Sequence, residues 1–124
     1  MNINESAENY LETILILSKK LPVVRAVDIA TELGFKKSSV SIAMKNLREK
    51  EYITVSDAGY ISLTPSGKKI ADMIYERHEL FTNWLIHLGV NEKTASEDAC
   101  KMEHVISKES FEAIKKHLVE KALY

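Results

Sequence analysis

Between residues 26 and 47 two helical apolar repeats follow one another across only three residues, Gly34-Phe35-Lys36, a joint that leaves room for little but two helices turned sharply against each other. Val27, Ile29, Ala30 and Leu33 supply the apolar positions of the first repeat, over residues 26–33, and Gly34 is placed to end it. The second repeat, the run KSSVSIAMKNLREKEY, places Val40, Ala43, Met44 and Leu47 on its inner side. Upstream, Ala7, Tyr10, Leu11, Ile14, Leu15 and Leu17 recur at helical spacing to about Lys20. Asn4 is the expected cap of that helix, Glu5 and Glu8 suit the positive end of its dipole, and Pro22 interrupts the pattern. Downstream, two β-like runs at residues 52–55 and 60–63 flank Ser56-Asp57-Ala58-Gly59, which has the composition of a hairpin turn. Helix, helix, turn, helix and hairpin in this order predict a winged helix-turn-helix, with the hairpin as wing.

From Thr64-Pro65, a cap followed by a first-turn proline, the positions Ile70, Met73, Ile74, Leu80, Phe81, Trp84, Leu85 and Leu88 predict a long fourth helix reaching Gly89, with Gly67 in its first turn. A fifth helix is expected from residue 91 to about residue 106, and a sixth from Ser107 containing Phe111, Ile114, Leu118 and Val119. The fold class that follows is mainly α. A winged helix-turn-helix domain is expected at residues 1–63, followed by an all-helical domain at residues 64–124.

Composition sets the class of protein but names no ligand. With 124 residues, 45% of them hydrophobic and 28% charged, the chain is of ordinary globular type. No run is long enough to span a membrane, MNINESAENY lacks the regions of a secretory signal, and the single Cys100 can form no internal disulfide. A cytoplasmic location is therefore expected. Net charge is −1, and residues 1–60 carry eight basic and eight acidic side chains, so binding to nucleic acid has to rest on a local patch. Lys36, Lys37, Lys45, Arg48 and Lys50 provide one, with Glu49 the only acid among them. Ser38, Ser39 and Ser41 can hydrogen-bond phosphates or base edges, while Lys36, Lys37, Lys45 and Arg48 can neutralise phosphates. The competing reading is an amphipathic helix with a solvated basic face. Order of elements favours DNA.

Cys100, Glu103 and His104 stand at i, i+3 and i+4 of the expected fifth helix, so one face offers a thiolate, a carboxylate and an imidazole. Ala99, Met102 and Ile106 lie on the adjoining face and would put the cluster at the edge of a core. His78 on the long helix is a candidate from another element, and Asn9 and Glu12 offer oxygen donors from the first helix. Each has a plainer alternative: a buried thiol, a half-buried histidine, solvated helix carboxylates.

The segments SAENYLETI, KKSSVSIAMKNL, LTPSGKKIA, ERHEL and DACKMEHVIS, spread over nearly the whole chain, resemble the family of the diphtheria toxin repressor and the manganese transport regulator. The resemblance implies a homodimeric, metal-activated repressor of operator DNA that regulates metal homeostasis and is not an enzyme. In length the chain resembles the two-domain manganese branch. His78, Glu103 and His104 match the family's metal positions directly. Cys100 resembles the iron-responsive branch, and Glu12 the manganese branch. Asn9 departs from the family pattern, which has a carboxylate or methionine there. Ser96 and Thr82 fall where the iron branch has the histidine and glutamate of a second site, so one metal site per subunit is expected. A thiolate among imidazole and carboxylate donors suits Fe²⁺ first and Mn²⁺ next. Ligands from the first, fourth and fifth helices would let the ion hold the DNA-reading head to the dimerising part. Two rivals remain open from the residues: a winged-helix regulator that senses a small molecule or partner without metal, and a metalloenzyme, for which no phosphate-cradling glycine loop is legible.

Overall fold

The computed structural model describes residues 4–122 and arranges them as α1 (Glu5–Lys20), α2 (Ala26–Leu33), α3 (Lys37–Glu49), β1 (Ile53–Val55), β2 (Ile61–Leu63), α4 (Pro65–His87), α5 (Glu92–Met102) and α6 (Lys108–Lys121). α1 starts where the Asn4 side chain accepts a hydrogen bond from Ala7 N at 2.7 Å. Its buried Tyr10, Leu11, Ile14, Leu15 and Leu17 form the face that packs on α2 and β2. α2 ends at Gly34, whose φ of +69° is the left-handed conformation that glycine adopts at little cost. Tyr10 meets Phe35 edge to face at 6.1 Å, anchoring the turn between α2 and α3.

α3 stops at Glu49, short of the expected run to Tyr52, because Glu51 takes a φ of +63° and Tyr52 N returns to bond Leu47 O at 3.0 Å. Val40, Met44 and Leu47 are buried as expected; Ala43 is only half-buried, and Val27 on α2 is exposed. The hairpin pairs antiparallel with Ile53 opposite Leu63, Thr54 opposite Ser62 and Val55 opposite Ile61. Val24 adds a single-residue rung on the other side of β2, accepting a 2.8 Å hydrogen bond from Ile61 N. Thr64 caps α4: its Oγ1 accepts from Gly67 N at 3.2 Å and donates to Glu51 O at 2.7 Å.

Contacts divide the chain into two compact units, one up to Asp72 and one from Met73, a division that falls inside α4. In the second unit Leu80, Phe81, Ala99, Phe111 and Leu118 form a core, with Trp84, Met102, Ile106 and Ile114 packed against it. Phe81 and Phe111 meet edge to face at 5.8 Å. α4 ends at His87, leaving Leu88 in the turn before Gly89 and exposed; Val119 on α6 is exposed as well. α5 is capped by Asn91 and α6 by Ser107. The fifth helix ends at Met102, four residues before the expected limit, and residues 103–106 form a turn.

Candidate metal centre and nucleic-acid interface

Glu103 closes α5 from the C-cap position, still in right-handed backbone with φ −63° and ψ −23°, so its side chain stays close to where a continuing helix would have put it. The adjacent α4 supplies two consecutive residues to it. Arg77 is buried, and its Nη1 donates to Glu103 O at 3.0 Å and to Ile106 O at 2.9 Å. The guanidinium also lies over the Phe111 ring, 5.2 Å from its centroid. One cationic side chain thereby fixes both ends of the turn that carries Glu103 and His104. His78, the next residue of α4, sets its Nδ1 3.0 Å from Glu103 Oε2.

The second carboxylate oxygen, Oε1, lies 3.4 Å from His104 Nε2 and has no hydrogen-bond partner among the described residues. Glu103 is 0% exposed, and the His104 and His78 side chains are 2% and 24% exposed. A carboxylate fully removed from water costs several kcal/mol unless cations or donors compensate it. Here two imidazoles flank it and one oxygen is left over. One carboxylate and two imidazoles are a donor set suited to a divalent transition ion, and the orphaned Oε1 is the atom such an ion would satisfy.

The remaining expected ligands are Cys100, Glu12 and Asn9. Cys100, one turn earlier on α5, is exposed, forms no disulfide and lies outside this buried set. Glu12 and Asn9 belong to α1 in the first unit: Glu12 is 5% exposed, and Asn9 is half-buried with its backbone carbonyl accepting from Thr13 Oγ1 at 2.8 Å. Arg77 was missed by reading the sequence. The available signal was its position, three or four residues from Met73, Ile74, Leu80 and Phe81, on the apolar stripe where a charge is out of place. Arg77→Met is expected to cost about 3 kcal/mol in urea unfolding, because two charge-assisted hydrogen bonds are lost at once. A loss under about 1 kcal/mol would show that the turn is held by packing alone.

In the first unit Lys36, Lys37, Ser38, Ser39, Ser41, Lys45 and Arg48 are all exposed on or just before α3. Ser41, Lys45 and Arg48 line one side of a shallow groove of about 220 Å³, whose other side includes Val55, Gly59 and Ile61 of the hairpin. An exposed pair outside the expected set joins the wing to the start of α2: Arg25 Nη2 donates to the Tyr60 hydroxyl at 3.3 Å, with its guanidinium 5.0 Å from that ring's centroid. Cations and hydroxyls ranged along α3 beside a hairpin are an arrangement that can meet a phosphate backbone and the groove it borders.

A winged helix-turn-helix followed by a helical unit bearing a buried carboxylate and imidazole cluster defines a winged-helix regulator with a metal-type centre. Residues 2–61 match the family described as iron dependent repressor, N-terminal DNA binding domain, and residues 64–120 match iron dependent repressor, metal binding and dimerisation domain. The chain belongs to this family, that of the diphtheria toxin repressor and the manganese transport regulator. It is 35% identical over 115 residues to an uncharacterized HTH-type transcriptional regulator of Methanocaldococcus jannaschii, covering 91% of this chain and 92% of that one. It is also 35% identical over 109 residues to the transcriptional regulator MntR of Salmonella typhimurium, covering 88% of this chain and 69% of the relative. Among solved structures the manganese regulator SloR superposes with a TM-score of 0.79 at 27% identity, over 95% of this chain and 54% of that one. A manganese-dependent transcriptional repressor in complex with manganese gives a TM-score of 0.81 at 26% identity, over 90% and 52%. The chain thus spans about half the length of these two solved proteins.

Proposed function

We propose that this chain is a metal-responsive transcriptional repressor that binds operator DNA as a homodimer when a divalent ion occupies the site built on Glu103. The observation that carries the reading is the fully buried Glu103 carboxylate, set between His78 and His104 with Oε1 unbonded. His78, Glu103 and His104 are the central ligands. Glu12, Asn9 and Cys100 join them on the strength of the family resemblance, Glu12 with the added support of its burial. When bound, the ion supplies positive charge that offsets the desolvated carboxylate and joins its donors to one centre. The chain's own part is to hold those donors ready, which Arg77 does through the turn. DNA is met by Lys36, Lys37, Lys45 and Arg48 at phosphates and by the serines of α3 at phosphates or base edges. A regulator of this kind works in the cytoplasm, where the chromosome is.

The choice of ion turns on the donors. Ranking Fe²⁺ above Mn²⁺ depended on a thiolate at the ion, and the exposure of Cys100 removes support from that ranking. Without sulfur, carboxylate and imidazole serve Mn²⁺ as well as Fe²⁺. Manganese is also the metal in the names of the two solved regulators described above.

Two measurements test the proposal together. Duplexes from the protein's own upstream region should bind after anaerobic addition of Fe²⁺ or Mn²⁺ and be released by chelation; affinity unchanged by both treatments would leave a metal-independent regulator. Lys45→Ala should weaken binding across all sequences and lower the slope of log affinity against log salt by about 1, the loss of one phosphate contact. An unchanged slope would remove α3 from the interface.

A further inference from the structure

Among the described residues Ile42 is the most exposed large apolar side chain of the first unit, at 64%, and it stands midway along the exposed face of α3 that carries the proposed DNA contacts. On the helix surface its neighbours are Ser38 and Ser39 one turn before and Lys45 and Asn46 one turn after, all exposed. The serines are too short to shield it. Lys45 adjoins it directly, and Lys37 and Arg48 add exposed positive charge along one side of the helix. An isoleucine presented in this way sits poorly in water, yet the cations around it discourage an apolar protein partner and fit a polyanion. The apolar group that a polyanion offers at the depth a helix reaches is the thymine C5-methyl in the major groove.

We infer that Ile42 is a specificity-determining residue, which packs against a thymine methyl group of the operator and makes thymine preferred at that position. The inference rests on the proposal that α3 binds DNA. Phosphate contacts by the lysines set register and add affinity without choosing a base, and the serines accept and donate to several bases, so neither group accounts for sequence choice as Ile42 does.

The test replaces thymine by deoxyuridine, which removes the methyl and leaves the pairing and the phosphates as they were. A duplex is first selected from a random-sequence pool by the full chain with Mn²⁺, then rebuilt with deoxyuridine at each thymine in turn. The wild type is expected to lose about fourfold in affinity at one position of each half-site, the worth of one buried methyl group. Ile42→Ala, at a site this exposed, should fold as the wild type does, bind the unmodified duplex at least as weakly as that, and show no further loss at the sensitive position. A wild type indifferent to every replacement, or an Ile42→Ala variant that keeps the same losses, overturns the role of Ile42 while leaving DNA binding intact. If no duplex in the pool is retained with Mn²⁺ or Fe²⁺, the DNA-binding proposal itself falls, and Ile42 with it.

Discussion

Glu103→Gln is expected to abolish metal-activated DNA binding, lowering operator affinity in saturating Mn²⁺ or Fe²⁺ to that of the chelated wild type, while leaving the metal-free fold as stable as before. The two halves of this result have one cause. In the wild type a fully buried carboxylate keeps one oxygen 3.4 Å from His104 Nε2 without a hydrogen bond, a liability to the metal-free protein. Glutamine preserves the shape and removes the charge, so the metal-free variant should unfold at the same temperature or slightly higher. With metal the order reverses. At a free ion concentration 100 times its dissociation constant, the wild type gains about 2.7 kcal/mol from binding; a variant that leaves the ion unbound at that concentration gains nothing. Thermal melts with and without the ion read this difference directly. Binding to DNA reads its consequence, and reciprocity requires DNA to tighten the wild type's hold on metal by the same factor. A variant that retained both the metal-induced rise in melting temperature and the metal-dependent binding would remove Glu103 from the site.

How much of this was legible follows from which interactions are local. The bounds of α1 and α2 are readable because their stops lie in the sequence beside them: Asn4 and its bond to Ala7 N, Pro22, and Gly34 with its positive φ. The end of α5 is not. Ala99, Met102 and Ile106 continue the apolar period and all reach the core, so the pattern runs on where the helix stops. What ends it is a pair of hydrogen bonds from Arg77, more than twenty residues away in the chain, to carbonyls no side-chain pattern describes. The Val24 rung was hidden for the same reason, being one residue long and paired with a strand far along the sequence. For the metal centre, helical spacing brought Glu103 and His104 forward, His78 stood as a candidate from another element, and the family pattern matched all three. Spacing treated Cys100 as their equal, but side chains one turn apart can differ completely in burial, and Cys100 is exposed where Glu103 is not. Val27 and Val119 err in the opposite direction, apolar by sequence and exposed in the fold.

Gly67→Ala is expected to be the most damaging single-methyl change in the winged-helix unit, although an alanine in the first turn of a helix ordinarily stabilises it. A Cβ built on Gly67 would lie 2.0 Å from Tyr52 O and 2.9 Å from Tyr52 C, which are backbone atoms that no rotamer change can move aside. The carbonyl is itself held in place, because Tyr52 O accepts from Thr64 N at 3.0 Å while Tyr52 N is tied to Leu47 O. Relief needs the start of α4 and the entry to β1 to separate by roughly 1 Å, enough to strain the Thr64 bonds to Gly67 N and Glu51 O that cap the helix. The helix gains about 1 kcal/mol from replacing glycine, against an overpacking and capping cost of about 4 kcal/mol or more. The net loss, about 3 kcal/mol, corresponds to a melting temperature lower by roughly 10–20 °C. Gly67→Ser should behave alike, since its Cβ meets the same carbonyl. The metal centre makes a useful control: His78, Glu103 and His104 belong to the other unit, so metal should still raise the melting temperature of Gly67→Ala from its lower starting point. A Gly67→Ala variant as stable as the wild type would mean that β1 and α4 stand farther apart than the close approach at Tyr52 requires.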